Sequence, residues 1–141
     1  MSSPDRDNSP VDWSAVRRRA RMLSPHAFDF VREGLTYTAA SIHGPIEVTQ
    51  QPMPMSVLRS RHITGQQLCE GLRQLAVKRY GMLAGVVLRR WGLRSTEDFG
   101  VIVYKLIDEG DLRPNADDRF EDFVGVFDFE EAFSPRALTI V

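Results

Sequence analysis

Apolar positions recur with helical rhythm along most of this chain, most sharply between Ile63 and Phe133. Thr64 and Gln67 have the spacing of a capping box, and Ile63 and Leu68 stand where a hydrophobic staple needs them. Leu68, Leu72, Leu75, Ala76 and Tyr80 then share one helical face, and Gly81 supplies a stop. A short helix is predicted over Met82 to Trp91, ending at Gly92. Ser95 or Thr96 caps a third helix, with Glu97 and Asp98 in its first turn, where the helix dipole favours acids. Phe99, Ile102, Val103, Leu106 and Ile107 form its inner face. Gly110 suits the left-handed position after a helix end, with Leu112 as the apolar contact beyond it.

Upstream, two Ser-Pro pairs each place a serine N-cap before a proline at the first helical position. Ser9-Pro10 opens a helix carrying Trp13, Val16, Ala20 and Leu23 on one stripe. Ser24-Pro25 opens another that buries Ala27, Phe30, Val31, Leu35 and Thr38. Gly34 weakens that second helix by roughly 1 kcal/mol relative to alanine, which implies close packing against another backbone. Between His43 and Pro54 the helical rhythm fails. Gly44-Pro45 marks a turn, Ile46 and Val48 a short strand, and Pro52 and Pro54 bar a helix or central strand. Val57 to Ile63 adds a second short strand. After a turn around Pro114, Asn115 and Asp117, Phe123 to Phe127 reads as a further strand. Asp128 and Glu131 cap a last helical turn holding Phe129 and Phe133, with Phe127 and Ala132 as its staple.

Helix, short helix, helix and hairpin is the order of a winged helix. The expected fold is α+β and mainly α, with N-terminal helices packed on a winged-helix-like core and a small antiparallel β-sheet. Residues 1–8 form a disordered tail and 9–141 one domain. Within it, 9–42 are the N-terminal helices, 43–62 a loop with short strands, 63–133 the core and 134–141 a C-terminal tail.

A chain of 141 residues is long enough to bury a core without a disulfide or metal staple. The lone cysteine, Cys69, has no internal partner and fits a reducing, cytoplasmic setting. No apolar run has the length of a membrane span, and the first 15 residues are polar with three aspartates. A net charge of −1 conceals a gradient: residues 1–63 carry +2, residues 64–105 carry +4 and residues 106–141 carry −7. Such a dipolar molecule can steer association or favour head-to-tail contacts, and the alternative is that these are ordinary solvated faces.

The charges oppose DNA reading by the third helix. Residues 95–112 hold five acidic side chains against Lys105, and the wing adds Asp117, Asp118, Glu121 and Asp122. A net anionic reading helix is repelled by phosphates. The best anion-binding candidates are Arg17, Arg18, Arg19 and Arg21 in the first helix, joined by Arg89, Arg90 and Arg94. Four phosphate contacts would give a salt slope near about −3.6. An anionic protein, or the acidic C-terminal side of another copy, would also serve as their partner, and a solvated basic helix face is the structural alternative. Asp117, Asp118, Glu121 and Asp122 define an acidic partner face; they lack the alternating ligands and glycine of a calcium loop. His26, His43 and His62 have no metal-ligand spacing, and Cys69 carries no nucleophile signature. Neither a phosphate-binding glycine loop nor a serine elbow is present. No catalytic residue, cofactor or metal is therefore assigned.

The stretches SPHAFDFVREGLTYT, HITGQQLCEGLRQLAVKRYG, RRWGLRSTEDFG and EDFVGVFDFEEAF resemble those of a small, uncharacterised bacterial protein family. The likeness covers residues 24–41 and 62–133 and departs at Gly34 and over Gly44 to Pro54. It implies a bacterial, cytoplasmic, single-domain protein and carries over no activity or site residue. The leading expectation is a non-enzymatic protein-interaction or adaptor module, possessing a protein partner or associating with itself. A nucleic-acid-binding regulator using the arginine-rich helix is the alternative, and a small enzyme or metal-binding protein a further one.

Overall fold

A computed structural model describes residues 11–44, 62–114 and 117–134. Among the described residues six α-helices run in order: α1 (Trp13–Ala20), α2 (Pro25–His43), α3 (Gly65–Tyr80), α4 (Ala84–Arg90), α5 (Thr96–Asp108) and α6 (Phe129–Phe133). Two 3₁₀ turns, Gly81–Leu83 and Phe120–Phe123, precede α4 and follow α5.

The caps explain most of the boundaries. Asp12, not Ser9, starts α1 by accepting the Ala15 N–H at 3.0 Å; Ser9 and Pro10 lie outside the described residues. Ser24 caps α2 through the His26 N–H, with Pro25 at the first helical position. At α3 the box is reciprocal: Gln67 N–H donates to the Thr64 hydroxyl at 3.1 Å, and Thr64 N–H donates to Gln67 Oε1 at 2.8 Å. Helix α5 ends in a Schellman motif. Asp111 N–H donates to the Leu106 carbonyl and Gly110 N–H to that of Ile107, with Gly110 at φ +83°.

Helix α5 is the centre of the molecule. Eight of its 13 residues are buried, including Phe99, Ile102 and Leu106, and only Asp108 is exposed. Helices α1, α2 and α3 and the Phe120–Phe123 turn all pack on it. The most extensive helix pairing is α2 on α3, where backbone meets side chain closely. A Cβ at Gly71 would fall inside the Thr38 side chain, and one at Gly34 inside that of Leu72. The Gly34 contact is therefore with a leucine side chain rather than with backbone. The tight crossing has a cost: the buried Thr38 hydroxyl has no hydrogen-bond partner among the described residues.

The expected antiparallel sheet is absent: the described residues contain no strand, so the fold is not a winged helix. The reason lies in Phe123–Phe127. Phe120 and Phe123 are three residues apart on a 3₁₀ turn, and Gly125 turns the chain again at φ +61°. The backbone groups that would join a hairpin bond instead to one buried side chain. Thr96 Oγ1 donates to the Phe123 carbonyl at 2.6 Å and accepts the Val126 N–H at 3.2 Å. The Phe123 ring then fills a slot between Gly65 of α3 and Gly100 of α5, where a Cβ on either glycine would meet it at about 3 Å. His62 and Ile63 are not in a strand; Ile46, Val48 and residues 57–61 lie outside the described residues.

Candidate functional site

The arginines of the first helix do not form one surface. Arg19, only about a quarter exposed, makes a two-pronged bond to Asp98 of α5: Nε to Oδ1 at 2.8 Å and Nη2 to Oδ2 at 2.9 Å. Nη2 also donates to the Gly92 carbonyl at 2.7 Å, and Asp98 Oδ2 accepts the Arg94 N–H at 2.8 Å. The Asp98 bond raises the Arg19 pKa above its ordinary value. Arg17 makes a second fork, to Asp108, with Nη2 to Oδ1 at 2.7 Å and Nε to Oδ2 at 3.0 Å. That bond holds the Asp108 carboxyl below its usual range. The two arginines thus neutralise carboxylates of the helix whose negative charge argued against DNA. Burial of α5 under α1 removes the groove-reading role on steric grounds as well. Arg18 and Arg21 are exposed and form no ion pair among the described residues.

Arg89, Arg90 and Arg94 are exposed too, and none is ion-paired among the described residues. Their setting differs, because they follow an apolar surface. Helix α4 turns Ala84 and Leu88 into the core and leaves Val86 56% exposed, while the 3₁₀ turn before it leaves Met82 50% and Leu83 62% exposed. Leu83, Val86 and Arg90 lie at helical spacing, with Met82 and Arg89 flanking them. The inner side of α4 is covered by α3 and by α6, whose Phe133 lies against Gly85. At the far end, Ser24 N–H donates to the Trp91 carbonyl at 2.9 Å. Gly92, at φ +94°, approaches so closely that a Cβ there would stand 2.7 Å from the Met22 carbonyl. This contact sets Arg21 and the 68%-exposed Met22 beside the loop that carries Arg94. Grouped exposed apolar side chains beside cations are the mark of an interaction surface. The sequence holds a signal for them: from Met82 to Leu88 every residue is apolar or glycine, so a short helix with neighbours on one side must leave some exposed.

The acidic candidates are only partly available. Asp118 Oδ1 lies 3.4 Å from His62 Nε2, and His43 Nε2 donates to the His62 carbonyl at 2.8 Å. Asp122 accepts the Arg119 N–H at 3.4 Å. Glu121 and Asp117 are exposed, and near Glu121 stands Val124, 51% exposed. Burial, then the carboxylates of Asp118, Asp122 and Glu121, push the Tyr104 hydroxyl up to about 12. Cys69 is buried in α3, where desolvation, then Glu70 and Glu97, push its thiol up to about 12; it is an inert core residue at neutral pH.

An open cleft of about 760 Å³ lies between Tyr37 of α2, the Arg73–Lys78 side of α3, and Val126 to Ala132. Arg73 sits over the Phe127 ring at 5.9 Å and Lys78 over Tyr37 at 5.6 Å. Its acids are Asp128, which caps α6, and Glu131, and its lining holds no histidine, cysteine or serine. Trp91, Tyr104 and Phe129 all pack on the core. No group of metal ligands occurs among the described residues, and none of their helices is long and apolar enough to cross a membrane.

No family model, no curated protein and no solved structure matches this chain.

Proposed function

We propose that this protein is an interaction module whose docking face is the outer side of α4. One observation carries the reading. Met82 and Leu83 in the 3₁₀ turn and Val86 on α4 are exposed just ahead of Arg89 and Arg90, which form no ion pair among the described residues. Burying three such side chains supplies a substantial part of a protein contact. The neighbouring arginines select an anionic partner and speed its approach. Residues 71–96 contain six basic side chains and no acidic one, so no neighbour in sequence competes for that partner. A nucleic-acid reading has less support, since Arg17 and Arg19 are bound to Asp108 and Asp98.

The face is tested by placing a photo-reactive residue at position 86 in the producing cell, with exposed position 66 as control. A discrete protein adduct at 86 alone is expected, and it should vanish when Arg89 and Arg90 are changed to glutamate. Equal labelling at both positions would sink the proposal. A mobility shift at low salt, abolished by the same glutamates, would transfer the face to nucleic acid.

A further inference from the structure

We infer that the occupant of the α4 face is a second copy of this chain, docked head to tail through the acidic edge around Glu121 and Val124. The inference rests on the docking-face reading above and names its partner. The chain carries both halves of the contact. One half is apolar and cationic: Leu83 and Val86 with Arg89 and Arg90. The other is apolar and anionic: Val124, 51% exposed, beside exposed Glu121 in a segment, 117–131, with seven acidic residues and one arginine.

Within one molecule no extensive contact joins α4 to the Phe120–Phe123 turn among the described residues. Helix α4 packs on α3 and α6, whereas the Phe120–Phe123 turn packs on α3 and α5. A two-fold pairing of α4 with α4 would instead gather four arginines into one interface with no carboxylate from either helix. Like charges so placed oppose association. Charge therefore favours the heterologous contact, which closes into a ring or grows as an open chain.

Sedimentation of the full chain over a concentration series tests this, at low and at high salt. The wild type should gain mass with concentration at low salt and lose that gain at high salt. Val86→Glu removes the first half, and Glu121→Lys with Val124→Lys the second. All three positions are exposed, so circular dichroism should show the variants as stable as the wild type. Each variant alone should weaken association by about tenfold or more, because it lacks one half. Mixed in equal amounts, they should form a dimer of one copy of each that grows no further. Association of the Glu121/Val124 variant equal to that of the wild type would overturn the inference in favour of two-fold α4 pairing. A wild type that stays monomeric at low salt would also overturn it. If position 86 still captures a different protein in the cell, only the partner is wrong; if it captures nothing, the docking face falls with it.

Discussion

Two clusters of arginines in this chain look alike as sequence and have opposite settings. Arg17 and Arg19 lie along a helix that packs on α5, and each meets an aspartate in a two-pronged bond. Arg89 and Arg90 end a helix whose outer side has no neighbour among the described residues, and they meet none. In the first cluster, charge joins two helices. In the second, charge stays on the surface next to Leu83 and Val86. A basic cluster is thus a binding site or a structural tie according to what packs against it, and spacing along the chain does not say which.

The strongest way to break this comparison is Asp98→Ala. It leaves the Arg19 guanidinium and the Arg94 N–H without their acceptor in a mostly buried place. The expected loss is about 3 kcal/mol, the lower end for a broken buried pair, because Arg19 keeps some solvent. Denaturant unfolding measures it. A loss under about 1 kcal/mol would place this pair with ordinary surface pairs.

Alkaline unfolding probes two buried groups of the core. Cys69 and Tyr104 have their ordinary values at 9.0 and 10.0 raised to about 12 in the fold. A raised folded value contributes stability that is whole below the unfolded value and lost as pH climbs towards the folded one. The midpoint should therefore be level up to about pH 9 and fall between about 9 and 12. A thiol reagent at pH 8 should label Cys69 only after unfolding. Rapid labelling of the folded chain would show that α3 is not sealed.

Arg17→Ala should destabilise less than Arg19→Ala, since its pair is exposed, and added salt should erase the difference from wild type. The Asp108 carboxyl is held low, so the pair acts above the ordinary value of 3.8 and fades as pH drops through the folded value. In acid, Arg17→Ala and wild type should unfold alike. The smallest effect is expected at the other cluster. Arg89→Ala with Arg90→Ala should shift unfolding by less than about 1 kcal/mol, the loss of a favourable helix-end charge. A larger loss would mean that these arginines also hold the fold together.

Helix ends were legible in the sequence because a cap is a local event. Thr64 and Gln67 satisfy each other's backbone within four residues, and Gly110 turns the chain where it stands. The core list was legible for a related reason: Leu68, Leu72 and Leu75 return to one side of a helix whatever that helix packs on. The apolar stretch Phe123 to Phe127, read as a strand, misled for the opposite reason. A strand needs a partner strand, and here Thr96, 27 residues earlier, takes the Phe123 carbonyl instead. Met82, Leu83 and Val86 were assigned to a short helix without a direction, because the run from Met82 to Leu88 is apolar or glycine throughout and does not mark which side faces out.

By itself the sequence determined the charge gradient, which is a matter of composition, and the helices with the caps at Ser24, Thr64 and Asp128, which depend on residues a few positions apart. Only the tertiary structure decided that α5 lies at the centre, that Arg17 and Arg19 are tied to it, and that Arg89 and Arg90 remain on the surface. Those outcomes depend on which helix covers which, over separations of 79 and 91 residues for the two ties. Burial and pairing are properties of that arrangement, so charge that reads as a binding patch along the chain becomes, once packed, the bond between two helices.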